Sequence, residues 1–344
     1  MQINQQLINW WINLDPLSEE ETILVNSKRK DIIPCSDDVS NITQKVVDLL
    51  LYPNITSDDY TISINSSLTS IINEIFEKNS DNNTFIISTD KEHFSSSKPI
   101  EKHPHKYILS HENEIRKNNI TQALMAAEDY EKVLVFIIGT QKGTGEITPQ
   151  EPIDTLIKSL KANGKEVIAV SDDVHSWFFT PRNYAHYDYI LHTAHSLPTF
   201  YDMGVCIHKK NVPEVGVKNI ECIMDWLDVL AVMLKRKEKI LMFQKVITES
   251  AFSLFAKYNV DFVKYCNTNF FTIKIPHAAN QFIVEEEIKN MGELHFYYER
   301  VGHTGEHAYI SARGQQFIVE PEKLIPGLKC LGNMLDKLHN KGVL

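Results

Sequence analysis

"DYILHTAHSLPTFYDMGVCI", residues 188–207, sets two short apolar runs around a polar centre. "YDYILHT" and "MGVCIHKK" each have the length and β-branched content of a buried strand. Upstream, elements of the same kind alternate with helical patterns. "SLTSIINEIFEK" reads as a helix and "TFIIST" as a strand; "ITQALMAAEDYE" reads as a helix and "KVLVFIIGT" as a buried strand. A helix "PIDTLIKSLKANG", closed by Gly164, and a strand "EVIAVSDD" complete the series. Apolar runs separated by helices indicate a mostly parallel sheet covered on both faces. Ligands of such sheets bind beyond the carboxyl ends of the strands. His93, Thr140, Asp172 and His195 all fall just past a predicted strand end.

Outside this block the pattern changes. "QQLINWWINLDPLSEEETILV" and "SDDVSNITQKVVDLLLY" are amphipathic helical patterns, in which Trp10 and Trp11 read as packing residues. From residue 223, "IMDWLDVLAVMLKRKEKILMFQKVITESAFSLFAKY" is a long helical stretch. Strand-like "FFTIKI", "QFIVEEE", "ELHFYYER" and "HAYISAR" follow, and "PEKLIPGLKCLGNMLDKLH" forms a last helix. The expected division is a helical arm over 1–50, a large α/β domain over 51–239 and a small α+β domain over 240–344.

Composition excludes several function classes. The 344 residues are 43% hydrophobic and 23% charged, a globular balance, and the formal net charge is −10. A nucleic-acid or anionic-membrane surface needs basic patches, so neither partner is expected. No apolar run reaches the roughly 18 residues of a membrane span, and the first residues lack the features of a secretory signal. Five scattered cysteines without C-x-x-C spacing suggest reduced thiols and a cytoplasmic protein. The pairs His103/His105 and His303/His307 lack a partner at ligand spacing, so no metal is expected. Glycine is scarce at 13 residues, about half the usual share, so a site built on glycine loops would be weakened.

Five stretches, in order, resemble the fold-type I pyridoxal-phosphate (PLP) enzymes, and among them the group II amino-acid decarboxylases of the bacterial histidine decarboxylase type. "STDKEHFSSSKPIEK" resembles the segment whose histidine stacks on the cofactor ring, a role that falls to His93. "HKYILSHENEIRKNNITQAL" resembles the next strand and turn, and "VFIIGTQKGTGEI" a stretch that puts Thr140 near the cofactor. "AVSDDVHSWFFTP" resembles the strand end whose carboxylate keeps the pyridine nitrogen protonated, which assigns Asp172. In the opening stretch Asp188, Ile190, Thr193, His195, Gly204 and Val205 fall where the family has Asp, Ile, Ser, His, Gly and Val. The resemblance implies an α/β fold-type I architecture and a homodimer with an amino-acid-like ligand.

Three departures bear on activity. The Schiff-base lysine is replaced by Ser196, whose hydroxyl cannot form the imine that lysine forms with PLP. The glycine-rich phosphate loop reads "SINSSLTS"; Ser63, Ser66 and Ser67 can cup an anion, but without glycine the backbone approaches it less closely. A small, basic turn that reaches the partner subunit's phosphate in the family is replaced by "VKNIECIMDWLDVL". The expected protein is therefore a lysine-less relative with PLP weakly held or absent, acting as a binding or regulatory pseudoenzyme. The alternative is a lyase or decarboxylase that uses pyridoxal or pyridoxamine phosphate with His195 or His93 as acid/base. A decarboxylase carrying an engineered serine at 196 also stays open.

Overall fold

The computed structural model describes residues 39–50, 55–110, 117–141, 145–176, 182–193, 203–238, 261–263, 270–275, 296–301, 307–313 and 324–342. By its contacts the chain divides into two compact units, one of residues 24–141 with 147–231 and one of 1–23, 142–146 and 232–344.

The first unit is built on β1 (Tyr60–Asn65), β2 (Thr84–Thr89), β3 (Lys106–Leu109), β4 (Lys132–Ile138), β5 (Glu166–Asp172), β6 (Tyr189–Thr193) and β7 (Gly204–Lys209). They form one sheet in the order β1-β7-β6-β5-β4-β2-β3. The β3–β2, β2–β4, β4–β5 and β5–β6 pairs are parallel, whereas β7 runs antiparallel to both of its neighbours. The two strands read from the opening stretch are therefore the junction between the parallel part of the sheet and its single reversed strand. This is the mostly parallel α/β architecture expected from the alternation of apolar runs and helices.

The helices are α1 (Val39–Leu50), α2 (Leu68–Asn79), α3 (Phe94–Lys102), α4 (Lys117–Ala126), α5 (Gln150–Ala162) and α6 (Ile220–Lys235). α2 buries Ile71, Ile72, Ile75 and Phe76, spaced as one helical face, against Ile86, Leu134, Phe136, Val170 and Leu191 of the sheet. At about 25 cal/mol per Å² of apolar surface, each such side chain contributes roughly 1.5–3 kcal/mol to folding. Ser67 caps α2 by accepting from the Ser70 amide, and Gly164 ends the turn after α5 at φ +78°. Two elements, β1 and α3, have no clear signal in the alternation, and β3 falls in the stretch that resembles a strand and turn. The end of β1 falls in "SINSSLTS", α3 contains Pro99, and the four residues of β3 are too few for a periodic signal.

The second unit contains β8 (Asp261–Val263), β9 (Phe270–Ile275), β10 (Phe296–Val301) and β11 (His307–Arg313), an antiparallel sheet in the order β10-β11-β9-β8, and helix α7 (Leu324–Asn340). "FFTIKI", "HAYISAR" and the final helix appear where the alternation put them. The stretch holding Trp10 and Trp11, and "QFIVEEE", lie outside the described residues.

At the start of β7, a Cβ on Gly204 would lie 2.5 Å from the Leu68 amide nitrogen and 2.7 Å from the Ser67 carbonyl carbon. Both obstacles are backbone at the N-terminus of α2, which cannot rotate away. Gly204→Ala is expected to destabilise the protein by about 1–3 kcal/mol, read from the midpoint of denaturant unfolding.

Candidate functional site

Register decides which residues meet. Ile138 at the end of β4 pairs with Asp172 at the end of β5, and Asp172 pairs with Leu191 of β6. Thr193, at the end of β6, pairs with Gly204, which pairs in turn with Asn65 at the end of β1. The turns after β1, β2, β4, β5 and β6 therefore open on one edge of the sheet. Ser66, Ser67, His93, Thr140, Asp172 and Thr193 all stand there. His195 and Ser196 lie outside the described residues. Asp188 belongs to the opposite edge, where it accepts from the Ala169 amide and pairs with Lys209 at 2.8 Å, so its role is structural.

Asp172 is buried, and its Oδ1 accepts from the Val174 amide at 3.3 Å. Burial, with a smaller contribution from the charge of Asp173, pushes its carboxyl up to about 7. Thr140 is fully buried, and its Oγ1 has no hydrogen-bond partner among the described residues. Thr193 Oγ1 donates to the Met203 carbonyl at 3.1 Å. His93 caps α3, with Nδ1 2.8 Å from Ser95 Oγ, and its ring lies 4.2 Å from that of Phe94. At the N-terminus of α2 Ser66 is exposed, and Ser67 Oγ lies 2.9 Å from Ser70 Oγ.

The structure adds residues that the sequence reading passed over. Glu92, one residue before His93, is 7% exposed. Its Oε1 accepts from Thr89 Oγ1 at 2.8 Å and from the Ile138 amide at 2.9 Å. Burial, reinforced by the charge of Asp172, pushes its carboxyl up to about 8. Asp173 accepts from Ser176 Oγ and pairs with Arg182 at 3.5 Å, both members of the pair being buried. Burial opposes the charge on Arg182, but Asp173, Tyr187, Tyr184 and Asp154 outweigh it and hold the guanidinium charged. Gly139 makes this possible, because a Cβ there would fall on Asp173 Oδ1, Arg182 Nη1 and Ser176 Oγ. His192, stacked on Trp226 at 5.8 Å between centroids, is pushed down to about 4 by burial and hydrogen-bonds to the backbone of Asp173. A glycine at a strand end in a glycine-poor chain was a usable signal for Gly139; Glu92 and Arg182 had none.

Burial of these groups makes stability depend on pH. Glu92 and Asp172 have folded values above their ordinary 4.5 and 3.8, so their contribution is full below those values and is lost as pH rises through about 8 and 7. His192 has a lowered value, so its contribution is present above 6.5 and is lost as pH falls through about 4. Between pH 6.5 and 8 only the carboxyls act. Unfolding free energy is expected to fall there by about 1 kcal/mol per pH unit, and Glu92→Gln to flatten the upper half, measured by urea titration at stepped pH.

No family model matches the chain, and no curated protein is similar to it in sequence. Solved structures are similar to it in fold. A NifS-like protein from Rickettsia africae superposes with a TM-score of 0.67 at 17% identity, covering 98% of this chain and 97% of that one. A structure described as Oryza sativa TDC with PLP and tryptamine gives 0.64 at 12% identity, covering 89% and 75%. A PLP-bound C-S lyase from Staphylococcus hominis gives 0.60 at 13%, covering 94% and 90%.

The residues present suit two ends of a PLP molecule. A helix N-terminus with serine hydroxyls suits a phosphate, and a buried carboxyl that lacks a counter-ion of its own suits a protonated ring nitrogen. Among the described residues no cluster of His, Cys, Asp and Glu could hold a metal, and no helix is long and apolar enough to cross a membrane. In architecture, the chain is an α/β protein of the fold-type I PLP-transferase-like kind, the fold of the structures it superposes on.

Proposed function

We propose that the protein is a lysine-less relative of the PLP-dependent amino-acid decarboxylases, without the parent chemistry, in which this site serves binding or regulation. One observation carries the reading. Asp172, matched to the carboxylate that faces the cofactor's ring nitrogen, is buried at the carboxyl edge of the sheet, while position 196 holds serine. In this reading ionised Asp172 would hold the proton of the ring nitrogen. Ser66 and Ser67 with the first turn of α2 would hold the phosphate, His93 would cover one ring face, and Thr140 and Thr193 would border the ring. PLP, when bound, supplies an electron-withdrawing pyridinium ring. A serine hydroxyl offers no amine to hold the cofactor covalently or to move a proton as that lysine does. The division into residues 1–50, 51–239 and 240–344, a cytoplasmic homodimer and an amino-acid-like ligand belong to the same proposal.

The solved structures described with PLP favour a second reading. Here the chain binds pyridoxal or pyridoxamine phosphate and acts as a lyase or decarboxylase, with His195 or His93 moving the proton.

Carbon dioxide release from histidine and aromatic amino acids separates the two readings. The unaltered protein with added PLP is expected to give none; turnover would discard the first reading and select the second. Ser196→Lys is expected to develop the visible absorbance of a lysine-linked PLP and to remain well below the activity of an intact decarboxylase, because "SINSSLTS" still lacks glycine. A lysine variant that takes up no PLP would exclude a PLP-shaped pocket. Sedimentation at micromolar concentration is expected to show a dimer, and a monomer would remove that part of the proposal.

A further inference from the structure

We propose that Glu92 is a ligand-binding residue of this site, one that offers an O–H donor from Oε2 to an acceptor oxygen on the molecule whose cationic nitrogen faces Asp172. The inference rests on the reading of Asp172 given above, and it adds a second point of recognition.

The geometry begins with the two ends of one carboxyl. Glu92 lies in the turn between β2 and α3, and its Oε1 is engaged twice, by Thr89 Oγ1 and by the Ile138 amide. Its Oε2 is buried and has no hydrogen-bond partner among the described residues. Ile138 pairs with Asp172 across the β4–β5 ladder, so Glu92 is fastened one strand away from that carboxyl. An acid whose Oε1 accepts two hydrogen bonds carries its proton on Oε2. That makes Oε2–H a buried donor for which the described residues supply no acceptor, a group that proteins seldom leave unmatched.

The surroundings keep Glu92 neutral. The titratable groups next to it in the chain are Asp90, Lys91 and His93, and from β5 the charge of Asp172 acts on it. Burial is the largest influence on it, and the strongest charge acting on it is the like charge of Asp172. Burial pushes both carboxyls up, that of Asp172 to about 7 and that of Glu92 to about 8. The two carboxyls interact and titrate as a pair, and burial keeps Glu92 the more strongly protonated of the two at neutral pH. The ligand that fits carries a cationic nitrogen for Asp172 and an acceptor oxygen nearby for Glu92. A hydroxypyridine phosphate such as PLP has both, whereas a simple amine has only the first.

The test measures binding, by equilibrium dialysis of PLP against wild type, Glu92→Gln and Asp172→Asn at pH 7 and pH 9. Glutamine keeps an acceptor for Ile138 and a donor for the ligand, and it does not ionise. Wild type is expected to lose about tenfold more affinity than Glu92→Gln between the two pH values, because a carboxylate faces the acceptor oxygen where an acid stood. Equal losses, or a gain by wild type, overturn the proposal. Asp172→Asn is expected to weaken binding at pH 7 by about tenfold; unchanged binding overturns the reading of Asp172 instead. Infrared spectroscopy tests the donor without any ligand. Wild type at pH 7 should show a larger protonated-carboxyl band than Glu92→Gln, which keeps only the part due to Asp172, and equal bands overturn the donor itself. Should Glu92→Gln fail to fold, Asp172→Asn decides, since a protonated-carboxyl band that it keeps at pH 7 and loses as pH rises belongs to Glu92, and no band overturns the donor.

Discussion

The ladder between β4 and β5 runs from Lys132 opposite Glu166 to Ile138 opposite Asp172, and the position of its last rung constrains every charged group of the site. The amide of Ile138 reaches out of the ladder to Glu92, and the amide of the next residue, Gly139, donates to the Asp172 carbonyl at 2.8 Å. The turn that carries His93 is thereby fixed to Ile138, the last residue of β4, and Asp172 to Ile138 and the residue that follows it. A slip of one residue would turn each of these side chains to the other face of the sheet.

Within that frame the chain buries more acid than base. Asp173 has Arg182, but Asp172 and Glu92 have no cation of their own among the described residues and respond by holding their protons. A buried pair such as Asp173–Arg182 is not by itself a large source of stability. Losing either member is costly, typically about 3–5 kcal/mol, because it strands the other. The edge of the sheet thus combines one neutralised ion pair with two carboxyls of adjustable charge, and the latter give the site its capacity to meet a cation.

Much of the frame was legible in the sequence. "TFIIST", "KVLVFIIGT", "EVIAVSDD" and the two strands of residues 188–207 are uninterrupted apolar runs, so a buried parallel sheet follows from their composition alone. β1 and β3 carry polar residues and lie at the two edges of that sheet, where one neighbour is missing, so the same signal was weak. Asp172, Thr140 and His93 could be placed because each follows a legible strand end. Glu92 could not, since nothing in "STDKEHF" says that its carboxyl turns inward to Ile138. Arg182 meets Asp173 within the loop between β5 and β6, a contact with no periodic trace in the sequence.

The crowding at Gly139 bears on how this sequence can change. Asp173, Arg182 and Ser176 together fill the space that any side chain at 139 would need. An alanine at 173 would strand a buried guanidinium; replacing Arg182 alone would strand Asp173. Neither single exchange is neutral on the way to the double one, and the two effects do not add. Positions 139, 173 and 182 are consequently coupled, and the end of β5 can change only by exchanges made together.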